Sequence, residues 1–171
     1  MIFVTVGTQL TFDRLVTAVD GWAGAAGRSD VFAQIGPTDL RPRHLGYERF
    51  ISPAECRERM LGADTIVAHA GMGTILTALE IGTPVIVMPR QAQHGEHRND
   101  HQMATARRLA ELDMVTVAFD EVQLAQRLDE VDQLAARPRI ESHAPDGLLA
   151  GIRAFILDQP ALAPAAAEST I

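Results

Sequence analysis

The residues with the clearest chemical potential lie in the segment 69–74, between a short apolar run and a helical pattern. Glycines let the backbone approach an anion closely, and the first N–H groups of a following helix point toward it. The segment therefore suits a diphosphate, and its candidate ligands are His69, Gly71, Met72, Gly73 and Thr74. Two glycines at this spacing fit equally well a plain strand-to-helix turn that needs them only for its geometry.

A second polar segment, residues 89–102, follows another apolar run. Arg90 and Arg98 can each meet a carboxylate or a phosphate with two parallel hydrogen bonds. Asp100, His101 and Gln102 can hydrogen-bond the hydroxyls of a sugar. The alternative is a solvated charged loop that ends in a helix cap.

Histidines in the same segment raise the question of a metal site. His94, His97 and His101 offer imidazole ligands. They lie partly in a loop and no cysteine assists them, so we expect no bound metal. The single cysteine, Cys56, has no paired base nearby in the sequence and is not a candidate nucleophile.

A third candidate is the glycine turn that follows the first apolar run. Gly7 and Thr8 come directly after residues 2–6. They either face the phosphates of a ligand, face a partner domain, or only close a tight strand-to-helix connection.

These segments must be positioned by strands that alternate with helices. Strands are predicted at 2–6, 31–35, 47–51, 65–68, 85–88 and 115–118, and helices from about residue 11, at 52–61, 74–81, 100–112, 121–134 and 147–157. The strands are continuous apolar runs, as expected when both faces of a sheet are covered. The pattern predicts an α/β fold with a doubly wound parallel sheet, a single Rossmann-like domain over residues 1–158, and a Pro/Ala-rich tail over 159–171.

Bulk properties narrow the class of protein. The chain has 171 residues, 47% of them hydrophobic, and a formal net charge of −7. An acidic chain lacks the basic face that a phosphate backbone requires, so no nucleic-acid partner is expected. One cysteine, no signal-like start and no long apolar run predict a cytoplasmic protein, with peripheral attachment to a membrane through a partner left open.

The opening of the chain resembles a known family. Residues 3–8, followed by Phe12 and Asp13, look like the start of the small subunits of two-component GT-B glycosyltransferases of family 28 type. These include the small catalytic subunit of the dolichol-linked UDP-GlcNAc transferase and bacterial exopolysaccharide glucuronosyltransferase subunits.

The central segments extend the resemblance over roughly residues 1–120. Residues 69–74, 82–84, Pro89 and 101–102 follow in the order of that family's donor-site signature, and 95–102 look closest to the glucuronosyltransferase subunits. The resemblance implies the donor-binding half of a GT-B enzyme. It also implies inverting chemistry without a metal or cofactor, and UDP-glucuronate as the best guess for the donor.

The resemblance also implies roles for individual residues. His69, Gly73 and Thr74 would contact the diphosphate, and His101 and Gln102 the donor sugar. Many relatives carry an acid that holds the ribose three residues after the threonine, where this chain has Thr77, and Glu80 is the nearest acid. This departure leaves the ribose contact open, and no catalytic base is assigned.

Partners follow from the same resemblance. The relatives recruit a membrane-anchored subunit that binds a lipid-linked saccharide acceptor, and a homo-oligomer of the isolated chain stays open. A nicotinamide-dependent oxidoreductase is disfavoured because Gly7 lacks the further glycines of that fingerprint. A single chain of this length also disfavours a sugar-nucleotide epimerase. A non-catalytic stabilising subunit and a UDP-galactose or UDP-GlcNAc transferase remain as alternatives.

Overall fold

The computed structural model describes residues 1–135 and 139–140. Its strands are β1 (Ile2–Thr5), β2 (Val31–Gln34), β3 (Gly46–Glu48), β4 (Thr65–His69), β5 (Val85–Met88) and β6 (Thr116–Val117). Its α-helices are α1 (Asp13–Ala26), α2 (Pro53–Gly62), α3 (Met72–Ile81), α4 (His101–Glu111) and α5 (Glu121–Asp129). Short 3-10 helices cover Ala92–His94 and Val131–Gln133. None of the helices within these residues is long and apolar enough to cross a membrane.

All six strands form one parallel sheet with the order β3-β2-β1-β4-β5-β6. Chain order reverses between β1 and β4, where Thr5 pairs with Ala68. In open parallel sheets, ligands bind beyond the carboxyl ends of the strands at such a switch point. The predicted doubly wound, Rossmann-like fold is confirmed.

Helices cover both faces of the sheet, which explains why the strands are apolar throughout. Alternate residues of β1 point to opposite faces, so Val4 packs in one core and Phe3 in the other. The first core includes Leu15 of α1 and Leu124 of α5. The second core is closed by residues of α2, α3 and α4, among them Ile75.

Three predicted boundaries are corrected. The strand expected at 47–51 is only Gly46–Glu48, an edge strand paired to β2 alone. The helix expected from residue 74 begins at Met72, because the N–H of Ile75 already donates to the Gly71 carbonyl. The helix expected to reach 134 ends at Asp129 and gives way to a 3-10 turn.

Three predictions concern the C-terminal part of the chain. The helix predicted at 147–157, the domain boundary at 158 and the tail at 159–171 lie outside the described residues.

Candidate functional site

A cleft of about 320 Å³ opens at the carboxyl ends of β1, β4 and β5. Three segments form its walls: the loop after β1, the turn from β4 into α3, and the loop after β5. Its lining residues are Val6, Gly7, Thr8, Gln9, Leu10, His69, Gly71, Gly73, Thr74, Arg90, His97, His101 and Gln102. The three polar segments singled out in the sequence therefore meet at the switch point of the sheet.

The imidazole of His69 fills the space between two glycine turns. A Cβ atom on Gly71 would lie 2.2 Å from His69 Nε2, and one on Gly7 would lie 2.9 Å from Cε1. Gly7 also has a φ of +76°, a left-handed conformation that side chains rarely adopt. Both glycines are therefore required by the packing of His69, whatever the cleft binds.

The environment of His69 favours its neutral form. Burial lowers the pKa of the imidazole to about 4, repulsion from Arg90 acts in the same direction, and the backbone of Thr5 opposes both. The buried Nδ1 atom has no hydrogen-bond partner among the described residues. His69 thus presents an uncharged ring to the cleft near neutral pH.

The first turn of α3 carries free backbone donors. Gly71 is its N-cap residue, and no side chain of the described residues caps it. The first N–H groups of a helix lack intrahelical partners and carry the positive end of the helix dipole. Apart from its chain neighbours and the backbone of its own helix, no atom in the described ranges lies within 4 Å of a Cβ placed on Gly73. The wall at Gly73 is therefore open to a ligand.

Arg90 lies in the cleft wall but is largely engaged by the protein. Only 3% of the residue is exposed, and its Nη2 donates to the carbonyls of Val6 at 2.8 Å and Leu10 at 2.7 Å. Burial lowers the pKa of Arg90, an effect that Glu96 opposes. The buried Nε has no hydrogen-bond partner in the part of the chain that is described. The guanidinium group is thus held mainly by backbone carbonyls of the loop after β1.

The loop after β5 is held by its own polar side chains. The Glu96 carboxylate accepts the N–H of Gln91 at 2.9 Å, and the Asp100 carboxylate accepts that of Ala92 at 2.8 Å. Gln102 is buried, and its Oε1 accepts the N–H of Arg90 at 3.1 Å. This leaves the amide nitrogen of Gln102 as its possible donor to a ligand.

Several predicted site residues lie apart from the cleft. Met72 is 45% exposed, and the side chains of Met72, Glu80 and Arg98 are exposed and are not part of its lining. Thr77 donates to the Gly73 carbonyl at 2.9 Å and lines a neighbouring recess of about 310 Å³ between α2 and α3, together with Gly73 and Thr74. The two hollows share one wall.

Other residues of the site were not predicted. Leu10 and His97 line the cleft, and the sequence offers His97 only as a metal ligand. Gln9, the last residue of the predicted glycine turn 6–9, lines it as well. Gln34 is buried behind the first loop, where its Nε2 donates to the Gly7 carbonyl at 3.1 Å. The sequence feature that could have indicated this role is a glutamine near the end of the otherwise apolar strand predicted at 31–35.

The metal hypothesis finds no geometric support in the described residues. Within 1–135 and 139–140, no group of three or more His, Cys, Asp or Glu side chains is placed to hold a metal ion. The rings of His97 and His101 instead contact each other edge to face, with their centroids 4.4 Å apart.

Fold and site together define a Rossmann-like domain with an uncapped helix N-terminus at the switch point of its sheet. Residues 1–151 match the glycosyltransferase family 28 C-terminal domain. The chain belongs to this family, as the resemblance in the sequence had predicted.

Two curated relatives are similar over part of the chain. The chain is 30% identical over 118 residues to the UDP-N-acetylglucosamine transferase subunit ALG13 of Homo sapiens, and 30% identical over 117 residues to that of Mus musculus. Each alignment covers 63% of this chain and 10% of the relative. The chain thus spans about a tenth of the length of these relatives.

Solved structures share the fold. The solution structure of ALG13 superimposes with a TM-score of 0.59 at 20% identity, covering 85% of this chain and 91% of that one. The kitacinnamycin glycotransferase gives a TM-score of 0.57 at 20% identity, covering 76% of this chain and 34% of that one. MurG of Acinetobacter baumannii gives 0.53 at 19% identity, with coverages of 77% and 41%.

Proposed function

We propose that this chain is the donor-binding subunit of an inverting glycosyltransferase and that its cleft holds a UDP-sugar. The first turn of α3 carries the proposal. It points uncapped N–H groups into the switch point, beside a glycine whose Cβ position is open. A diphosphate is the ligand that such a terminus favours. Membership in a glycosyltransferase family and similarity to a UDP-N-acetylglucosamine transferase subunit support UDP as its carrier.

The chemistry assigned to the site is stabilisation of the leaving group. When an acceptor hydroxyl attacks the anomeric carbon, the bond to the diphosphate oxygen breaks and negative charge grows on UDP. Preorganised donors are most effective where charge develops. The N–H groups of Met72, Gly73 and Thr74 and the Thr74 hydroxyl supply them. The base that takes the acceptor proton lies on the partner subunit or on a residue not yet assigned.

The donor sugar would occupy the wall formed by the loop after β5. We assign its hydroxyl contacts to His101 and Gln102 and add His97, which lines the same wall. UDP-glucuronate is the proposed donor because Arg90 lines this wall and residues 95–102 resemble glucuronosyltransferase subunits. Arg98 is the weaker candidate for the carboxylate because it is exposed. The name of the ALG13 relatives favours UDP-N-acetylglucosamine as the second candidate.

The ribose would lie toward the recess between α2 and α3. Thr77 lines this recess, whereas Glu80 is exposed and lines neither hollow. We therefore assign the ribose contact to Thr77 ahead of Glu80.

The proposal includes partners that lie outside this chain. A membrane-anchored subunit would bind a lipid-linked saccharide, as in exopolysaccharide synthesis, and would hold this chain at the inner face of the membrane. The alternative, a non-catalytic stabilising subunit, predicts no UDP binding. No cofactor is assigned, and transfer by the assembled complex should survive EDTA. Loss of transfer that one divalent ion restores would contradict this.

Calorimetric titration with UDP tests the proposal through Gly73→Val. A Cβ at position 73 meets no atom within 4 Å apart from its chain neighbours and its own helix, so the valine side chain should extend into ligand space and leave the fold intact. Gly21→Val is the matched control, because Gly21 is a helical glycine of α1 that is equally open and distant from the cleft lining. We expect UDP binding in the wild type and in Gly21→Val, and its loss in Gly73→Val. Normal binding by Gly73→Val would place the diphosphate elsewhere.

A further inference from the structure

Two loops of the cleft are connected by hydrogen bonds from two arginines, one on each side. The first loop comprises residues 6–12, between β1 and α1, and the second comprises residues 89–100, between β5 and α4. Arg90 of the second loop binds the Val6 and Leu10 carbonyls, which bracket the first. These two hydrogen bonds therefore attach the first loop to the second loop.

A second connection is made by Arg14 of α1, which directly follows the first loop. Arg14 donates from Nε to Glu96 Oε1 at 2.6 Å and from Nη2 to Glu96 Oε2 at 2.8 Å. Its Nη2 also lies 3.3 Å from the Pro89 carbonyl. The side chains of Arg14 and Glu96 are only 12% and 10% exposed. This two-pronged pair is therefore shielded from solvent, unlike the ion pairs at the surface.

The two arginines lie near the same aromatic ring. The guanidinium carbons of Arg14 and Arg90 each lie 5.3 Å from the ring centroid of Phe12, which is fully buried. Each cation is therefore within the range of an attractive interaction with the ring. Phe12 thus contributes to both connections.

We propose that Arg14 and Glu96 are positioning residues that hold the first and second loops as one unit around the donor sugar. This rests on the proposed function, because it assigns the second loop to the sugar. The second loop carries His97 into the cleft, and the first carries Thr8 and Gln9. The turn at Gly71 to Thr74 takes no part in these bonds. Loss of the pair should loosen the sugar wall and leave the diphosphate wall in place.

The test is amide hydrogen exchange of the intact chain without ligand, followed by titration. Glu96→Gln keeps the shape of the side chain and removes its charge. We expect exchange in residues 6–10 and 91–97 to rise about tenfold, the effect of losing roughly 1.4 kcal/mol of local stability, while β4 and β5 keep their protection. Glu111→Gln, in the exposed Arg108–Glu111 pair, is the control and should change neither loop.

A second variant keeps the test decisive if Glu96→Gln folds poorly. Arg14→Lys retains the charge but loses the two-pronged geometry and should loosen the same two loops. Arg14 also donates to Glu121 at 3.4 Å, and Glu96 also accepts the Gln91 N–H. The double variant should therefore loosen the loops by less than the sum of the two single variants, because both lose the Arg14–Glu96 pair. Exchange that rises only in residues 91–97, or throughout the sheet, would overturn the proposal.

The ligand titration separates this proposal from the proposed function. UDP affinity of Glu96→Gln should stay within about twofold of the wild type, since the diphosphate wall is untouched. UDP-glucuronate and UDP-N-acetylglucosamine are compared with UDP, and the gain in affinity that the sugar gives the wild type should be lost. Equal weakening of UDP and UDP-sugars would contradict the positioning role. A wild type that binds no UDP would defeat the proposed function, and the exchange experiment would still decide the loop connection.

Discussion

The Nε2 atom of His69 lies where a side chain on Gly71 would have to be, 2.2 Å from the position of its Cβ. The φ of Gly71 is −87°, which any residue adopts, so backbone conformation does not require glycine there. Position 71 must be glycine to leave room for the His69 imidazole. Position 73 has open space where a Cβ would lie, so the fold does not require glycine there.

Gly71→Ala should destabilise the protein by about 1–3 kcal/mol, the usual cost of forcing an extra methyl group into a packed site. Gly73→Ala should leave stability unchanged or raise it by up to about 1 kcal/mol, since alanine favours a helix. Urea unfolding measures both. If His69 is the cause, Gly71→Ala should cost little in a His69→Ala background. An equal cost in both backgrounds would assign the strain to another neighbour.

The low pKa of His69 predicts a loss of stability in mild acid. The folded value is about 4, against about 6.5 for an unfolded histidine, so the unfolded chain binds more protons between these values. This contribution is complete above pH 6.5 and is lost as the pH falls toward 4, by up to about 3 kcal/mol. Asp30, with a pKa of about 2, loses its contribution only below this window.

Urea unfolding at pH 7, 6 and 5 checks this prediction against His69→Gln. His97 and His101 line the same cleft and Arg90 repels His69, but all three remain in the variant. The difference between the two pH profiles therefore isolates His69. The wild type should lose more stability than the variant between pH 7 and pH 5, and parallel profiles would refute the assignment.

The strand-helix alternation and the order of the polar segments were sufficient to predict the fold and the cleft. Apolar runs such as Val85–Met88 are buried on both faces and punctuated by glycine and proline, so local sequence alone marks them. The carboxyl ends of parallel strands share one edge, so the segments after β1, β4 and β5 had to meet there.

The individual side-chain roles were less predictable because they depend on distant contacts. Arg90 and Arg98 look alike in the sequence, yet one is buried against the Val6 and Leu10 carbonyls and the other is exposed. Arg14 and Glu96 are 82 residues apart, and no local pattern links them. Their pairing follows from the neighbouring positions of α1 and the loop after β5.

Substitutions of Arg90 and Arg98 test the identity of the donor sugar. Arg90→Lys keeps the positive charge but loses the planar guanidinium, so it should weaken UDP-glucuronate binding by about 1.5–3 kcal/mol, the usual contribution of a hydrogen bond to a charged group. UDP and UDP-glucose should change far less, because neither offers a sugar carboxylate.

Arg98→Ala serves as the exposed counterpart and should change the affinity of none of these ligands. Calorimetric titration is the measurement, with thermal unfolding to verify that Arg90→Lys is folded. Equal losses for all three ligands would assign Arg90 to the diphosphate or to loop structure. A selective loss for Arg98→Ala would reverse the assignment.

Transfer should depend on a second subunit. The described cleft offers donors for a leaving group but holds no assigned base for an acceptor. We therefore expect the isolated chain to bind UDP and to show weak or no transfer to a lipid-linked saccharide. Radiolabelled sugar transfer with and without membranes containing the partner measures this. Full activity of the isolated monomer would contradict the two-subunit account.

The most direct measurement of the central claim is the amide chemical shift change of the first turn of α3 on adding UDP. The ligand should shift the N–H signals of Met72, Gly73 and Thr74 most strongly, because these groups would donate to the diphosphate. Uridine, which lacks phosphates, is the control and should leave them in place. UDP that binds without moving these three signals would contradict the account.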